Sequence, residues 1–107
     1  IPKGWPIEHM TPSATAAREA WEEAGVEGRT HERCIGMYSY IKVLGRGVSV
    51  PCVAQVCACK VKKMHDDFPE AGQRTRKWVG RKRAARLVHE PELAHLLRGF
   101  EPKSVRR

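Results

Sequence analysis

Between Thr11 and Gly25 the sequence carries both ends of a helix and its interior. Thr11 suits the N-cap, where a side-chain oxygen accepts a backbone N–H of the first turn. Pro12 suits the first helical position, where its missing N–H costs nothing. Ala14, Ala16, Ala17, Ala20 and Ala24 are strong helix formers. Gly25 suits the residue just past the last turn. A helix is therefore expected over this stretch, and the rest of the fold has to be built around it.

That helix carries an unfavourable charge pattern. Glu19, Glu22 and Glu23 lie at i, i+3 and i+4, so they project from one face. Like charges at this spacing each destabilise an isolated helix by roughly 0.2–0.5 kcal/mol. They also crowd its C-terminal half, where the helix dipole disfavours anions. Arg18 offsets part of this. Trp21, Ala14, Ala17 and Ala24 fall on another side, expected to face a core. A solvated acidic face is the plainer explanation of the three glutamates. The physical reason for holding three hard oxygen donors together is a divalent cation, Mg²⁺ or Mn²⁺.

The remaining chain reads as strands followed by helices. "RCIGMYSYIKVL" (Arg33–Leu44) and "VSVPCVAQVCACKV" (Val48–Val61) are rich in β-branched and aromatic residues. They are separated by the turn signal "GRG", so a hairpin is expected. A polar loop spans His65–Gln73, and "TRKWVG" reads as a short strand. Arg81–His89 reads as a basic helix. Pro91–Phe100 reads as an amphipathic one, with Leu93, Leu96, Leu97 and Phe100 at helical spacing. The order implies an α/β or α+β domain, single over residues 1–107, with a frayed tail over 101–107.

Composition narrows the partners. Lys and Arg outnumber Asp and Glu by 20 to 12, a formal net charge of +8. An anionic partner is expected, a phosphorylated small molecule before nucleic acid. The basic run "GRKRAAR" from Gly80 reads as a solvated helix start. No apolar run approaches the ~20 residues of a membrane span, so no membrane partner is expected. Cys34, Cys52, Cys57 and Cys59 lack paired zinc spacing and fit reduced thiols in a cytoplasmic protein. His9, His31, His65, His89 and His95 form no metal spacing either. Oligomeric state has no sequence signal here.

The spacing from Gly4 to Val26, "G-x5-M-x7-REAWEEAGV", resembles the box of the Nudix superfamily, Gly-x5-Glu-x7-Arg-Glu-U-x-Glu-Glu-x-Gly-U, where U is a bulky aliphatic residue. Gly4, Arg18, Glu19, Glu22, Glu23, Gly25 and Val26 match in place, and Ala20 is a small substitute at the first U. The flanks "PKGWP", "YSYIKVL…VPC" and "FPEAGQRTRKW…LVHEPELAHLL" are similar to the branch of diphosphoinositol polyphosphate phosphohydrolases and their bacterial relatives. There are two departures. Met10 stands at the first box glutamate, and no strands precede the box. The chain is accordingly expected to be the remainder of a longer domain, or to have its sheet completed by a partner.

The resemblance implies an α+β fold of α/β/α sandwich form, with a mixed sheet between helices and its N-terminal strands missing from this chain. It implies a Mg²⁺- or Mn²⁺-dependent hydrolase of phosphorus-containing anhydrides. The substrate would be a nucleoside-diphosphate-linked compound, a dinucleoside polyphosphate or a diphosphoinositol polyphosphate. Glu19, Glu22 and Glu23 would hold the metal, one of them also acting as base, and Arg18 would orient them. Gly4 would shape the phosphate approach. Lys3, Lys42, Arg46, Arg74 and Arg76 are the candidate phosphate-holding cations, and Glu70 is an extra acid or an ordinary loop residue. Trp5 and Trp78 read as stacking or packing aromatics. Met10 implies reduced activity. The alternative is a module that binds a polyphosphate or nucleic acid without turnover.

Overall fold

A computed structural model of the chain describes residues 1–102. The expected frayed tail, 101–107, falls for the most part outside them. The order is α1 (Pro12–Ala24), β1 (Val26–Thr30), β2 (Gly36–Gly45), β3 (Val48–Val56), β4 (Cys59–Met64), α2 (Arg81–Leu87) and α3 (Pro91–Gly99). Helices and antiparallel strands together make the α+β class expected of the sequence. Two compact units form: one of Ile1–Cys34 with Cys57–Trp78, the other of Ile35–Val56 with the segment from Val79 on.

In the first unit α1 begins and ends where its caps dictate. The Thr11 side chain accepts the Ala14 N–H at 3.1 Å. Gly25 adopts φ 67°, and its N–H returns to the carbonyls of Ala20 and Trp21. Only glycine takes that left-handed conformation without strain. The chain thus reverses at once into β1, which pairs antiparallel with β4 from Val26↔Met64 to Thr30↔Cys59. The Thr30 hydroxyl donates to the Ser13 carbonyl at 2.9 Å and ties the end of β1 to the start of the helix.

The sequence run Val48–Val61 is divided between two strands in two units. β3 ends at Val56, and β4 starts at Cys59 and pairs with β1. β1 had no sequence expectation: five residues reading "VEGRT" carry too little apolar alternation. The strand expected at "TRKWVG" does not form. The Arg76 guanidinium instead pins that segment, donating to the carbonyls of Ala24 and His65 at 2.9 and 2.7 Å.

In the second unit β2 and β3 form the expected hairpin, paired from Gly36↔Val56 to Gly45↔Val48. The turn is Gly45–Arg46–Gly47, all at positive φ. Pro51 lacks an N–H and fits a strand bonded to one neighbour. Alternation along β2 turns Tyr38 and Tyr40 to one side, where Tyr38, Val56 and Leu93 make the core with Leu96 and Leu97 of α3. The opposite side exposes Met37, Ile41, Val43 and Val53. Glu92 of α3 accepts both the N–H and the hydroxyl of Ser39, at 2.9 and 2.6 Å.

Two outcomes follow from this core. Tyr38 is fully buried, and its hydroxyl finds no hydrogen-bond partner among the described residues. Tyr38→Phe removes a desolvated polar atom at nearly constant shape, so it should raise stability by about 1 kcal/mol in urea unfolding. The Ser39 hydroxyl, then its N–H, holds the Glu92 carboxyl below its ordinary range. A lowered folded-state pKa stabilises above the unfolded value, and the contribution is lost as pH falls through the folded one. In acid titrations of the urea midpoint, Glu92→Gln should therefore lack part of the decline seen in the parent chain.

Candidate active site

The three helical glutamates meet three different environments. Glu23 is the most buried, 5% exposed, although it was expected on the charged face and Trp21 in the core. Trp21 lies at the surface with its ring edge-on to His65, centroids 5.2 Å apart. The exchange follows from the loop after β4, which docks on the C-terminal turn of α1. The Glu70 N–H donates to the Glu22 carbonyl at 2.9 Å, and Phe68 approaches Gly25. That loop covers Glu23 and leaves Trp21 outside.

A carboxylate buried in this way needs partners, and Glu23 has two. The Lys3 backbone N–H donates to its Oε2 at 3.2 Å, and Arg74 Nη1 donates to its Oε1. The other arm of the same guanidinium lies 3.8 Å from Glu70 Oε1. Arg74 therefore bridges a box glutamate and the loop acid. Lys3 enters through its main chain. Glu22, its side chain 31% exposed, accepts Arg18 Nε at 3.0 Å one turn away along the helix. Met10 closes a turn, its N–H donating to the Ile7 carbonyl at 3.0 Å.

Gly4 and Glu19 are in contact. A methyl group at Gly4 would stand 2.5 Å from the Glu19 carboxyl carbon and from Oε1. The glycine thus leaves the gap that this carboxylate fills. Glu19, Glu22, Glu23, Arg18, Gly4, Glu70 and Arg74 all belong to the first unit. Lys42 and Arg46 belong to the hairpin of the second unit, Arg46 in its turn. Arg76 also lies in the first unit, but its guanidinium is engaged by two carbonyls, by Asp66 at 3.0 Å and by the face of Phe68. It serves as a cation at the C-terminal end of α1, where the helix dipole favours one.

Among the described residues no three His, Cys, Asp or Glu side chains are arranged to hold a metal ion. The donor chemistry still suits a hard cation. The spacing sets three carboxylates on one helix face, Arg74 links Glu23 to a fourth at Glu70, and Gly4 gives Glu19 its space. Arginine nitrogens now pair with three of these carboxylates, Glu22, Glu23 and Glu70. At Glu23 a cavity of about 480 Å³ opens, its lining including Val26, Val61 and Met64 together with Arg74, Lys77 and Trp78. Lys77 was not anticipated, since one cation in "RTRKW" has no distinguishing spacing. Trp78, 74% exposed, is available at the rim. No helix of the described residues is long and apolar enough to cross a membrane.

Comparison with known proteins gives one curated relative. The chain is 31% identical over 104 residues to Nudix hydrolase 12, mitochondrial, of Arabidopsis thaliana. The alignment covers 94% of this chain, which spans about half, 51%, of that relative's length. No family model matches the chain, and no solved structure matches it. The likeness supports membership of the Nudix superfamily, to which the Gly4–Val26 spacing also points.

Gly4→Ala tests the gap at Glu19. The added methyl group displaces a flexible carboxylate and no backbone, so urea unfolding should change by less than about 0.5 kcal/mol. Calorimetric titration with Mn²⁺ should show affinity weakened by about tenfold. Unchanged affinity would mean that Glu19 takes no part in binding the cation.

Proposed function

We propose that this chain carries the catalytic helix of a Mg²⁺-dependent Nudix pyrophosphohydrolase, one that cleaves a phosphoanhydride in a strongly anionic substrate. The observation that carries the reading is the carboxylate face of α1. Glu19, Glu22 and Glu23 stand on one face at the box spacing, with Gly4 against Glu19 and Arg18 on Glu22. Glu19, Glu22 and Glu23 would hold Mg²⁺ or Mn²⁺, which when bound neutralises phosphate charge and lowers the pKa of water.

The chain's own groups divide the remaining work. Glu23, fixed by the Lys3 N–H and by Arg74, is the rigid ligand. Glu22 reaches solvent and has one ion-pair partner on its helix, so it is the carboxylate able to take a proton from the attacking water. Arg74 stands where a cation is wanted, between Glu23 and Glu70. Once exchanged for a metal ion it is placed to hold a phosphate oxygen by its planar fork. Lys77 adds positive charge at the cavity, and Trp78 offers an aromatic face to a base or ring. A nucleoside-diphosphate-linked or dinucleoside polyphosphate substrate suits that mixed lining. The flanking resemblance to the diphosphoinositol polyphosphate branch keeps those polyphosphates among the candidates.

One observation favours a second reading, a polyphosphate-binding module without turnover. Met10 occupies the first box acid position, and a thioether cannot serve as a carboxylate acceptor. The readings separate in one experiment. ADP-ribose, a diadenosine polyphosphate and a diphosphoinositol polyphosphate are each incubated with Mg²⁺, and product is followed by chromatography. The enzyme reading expects turnover that chelation with EDTA abolishes. It also expects Glu22→Gln and Glu23→Gln to lower the rate by about 100-fold or more, and Met10→Glu to raise it. Equal rates for parent and both glutamine variants would reject it. Calorimetric binding with no product, unchanged by Met10→Glu, would establish the second reading.

A further inference from the structure

The chain passes between its two units at Cys34–Ile35, at Val56–Cys57 and at Trp78–Val79. A cysteine marks each of the first two. Their sulfurs lie 3.0 Å apart, both half-buried and reduced. Backbone bonds hold the two segments side by side around them. The His31 N–H donates to the Ala58 carbonyl and the Ile35 N–H to the Val56 carbonyl, each at 2.8 Å. The cysteines are thus bracketed by main-chain hydrogen bonds, and their meeting does not depend on a flexible loop. Nothing in the proposed hydrolytic chemistry uses them.

We propose that Cys34 and Cys57 are a redox-modification site, a dithiol that closes to an intramolecular disulfide when the chain meets a low-molecular-weight disulfide. The Cys34 thiolate attacks one sulfur of the oxidant RSSR. The RS–SR bond breaks, one RS⁻ leaves, and a mixed disulfide stands on Cys34. Cys57 then attacks the Cys34 sulfur as its proton passes to solvent, and the second RS⁻ leaves. Both departing thiolates take up protons, so two protein thiols are oxidised and one RSSR is reduced to two RSH.

Order and selectivity follow from surroundings. Burial, with the neighbouring Cys34 contributing, pushes the Cys57 thiol up to about 12. It is therefore a poor first nucleophile, and Cys34 starts the exchange. The second step is intramolecular between pre-positioned sulfurs, so the mixed disulfide is short-lived. About 1 Å separates the present contact from a bonded pair. Cys52, half-buried in β3, and Cys59, in β4, lie outside this bracket. Oxidation closes a covalent ring around the whole β2–β3 hairpin, and such a ring restricts the unfolded chain.

The native chain is exposed to oxidised glutathione, alkylated, digested without reductant and mapped by mass spectrometry. The expected product is a Cys34–Cys57 linked peptide pair, with Cys52 and Cys59 alkylated. In Cys57→Ser the reaction should stop at a glutathione adduct on Cys34, whereas Cys52→Ser should still give the bridge. The same exposure in urea should scatter the pairing, which shows that the fold directs it. The bridged chain should have a higher urea midpoint, restored to the starting value by dithiothreitol. Four alkylated thiols after exposure, or a dominant bridge that includes Cys52 or Cys59, overturns the proposal.

Discussion

A single buried carboxylate organises the first unit. Glu23 sits where water cannot solvate it, so its charge has to be met from inside the protein. The groups that meet it come from both ends of the unit's sequence: the Lys3 main chain ahead of the helix and Arg74 well after it. The docking of the loop after β4 follows from the same requirement. That loop brings Glu70 to the other arm of Arg74 and its N–H to the end of α1. Stability and site geometry are in this way one arrangement: the contacts that make the burial tolerable also fix the carboxylate in place.

The second unit rests on a different balance. Its core is a few residues, Tyr38, Val56 and Leu93, with half-buried leucines of α3 around them. Glu92 gripping Ser39 adds a polar clasp from helix to strand. The unit carries the hairpin cations Lys42 and Arg46, while Glu19, Glu22, Glu23 and Glu70 belong to the first unit. The acidic face of α1 lies in the first unit, and the basic hairpin turn and the basic start of α2 lie in the second.

Local signals in the sequence were sufficient wherever structure was locally determined. Thr11, Pro12 and Gly25 mark the ends of α1 because capping depends on neighbours within a turn. The GRG turn and the leucine spacing of α3 are likewise short-range, and the α+β class follows from them. What stayed hidden depends on distant pairings. β1 exists because β4 lies beside it, and neither "VEGRT" nor the split of Val48–Val61 states that partnership. The inversion of Trp21 and Glu23 has the same origin, since helical periodicity assigns a face but not which face a loop will cover. In the candidate site, fixed spacing singles out Gly4, Arg18, Glu19, Glu22 and Glu23, and the structure sets Gly4 against Glu19 and Arg18 on Glu22. Arg74 and Arg76, two residues apart, were indistinguishable until one was found on Glu23 and the other on carbonyls. Lys77 carried no signal at all.

The outward side of the hairpin sets how this molecule behaves in a crowd. Met37, Ile41, Val43 and Val53 present an oily surface on a short, two-stranded ribbon. Between two copies, that surface is attractive at close range, and the formal charge of +8 is repulsive at longer range. The repulsion reaches only as far as the ions of the medium allow, about 10 Å at 0.1 M salt. Dilute buffer keeps such copies dispersed, and rising ionic strength lets the ribbons find one another. Ionic strength thereby sets how closely two copies of the chain can approach.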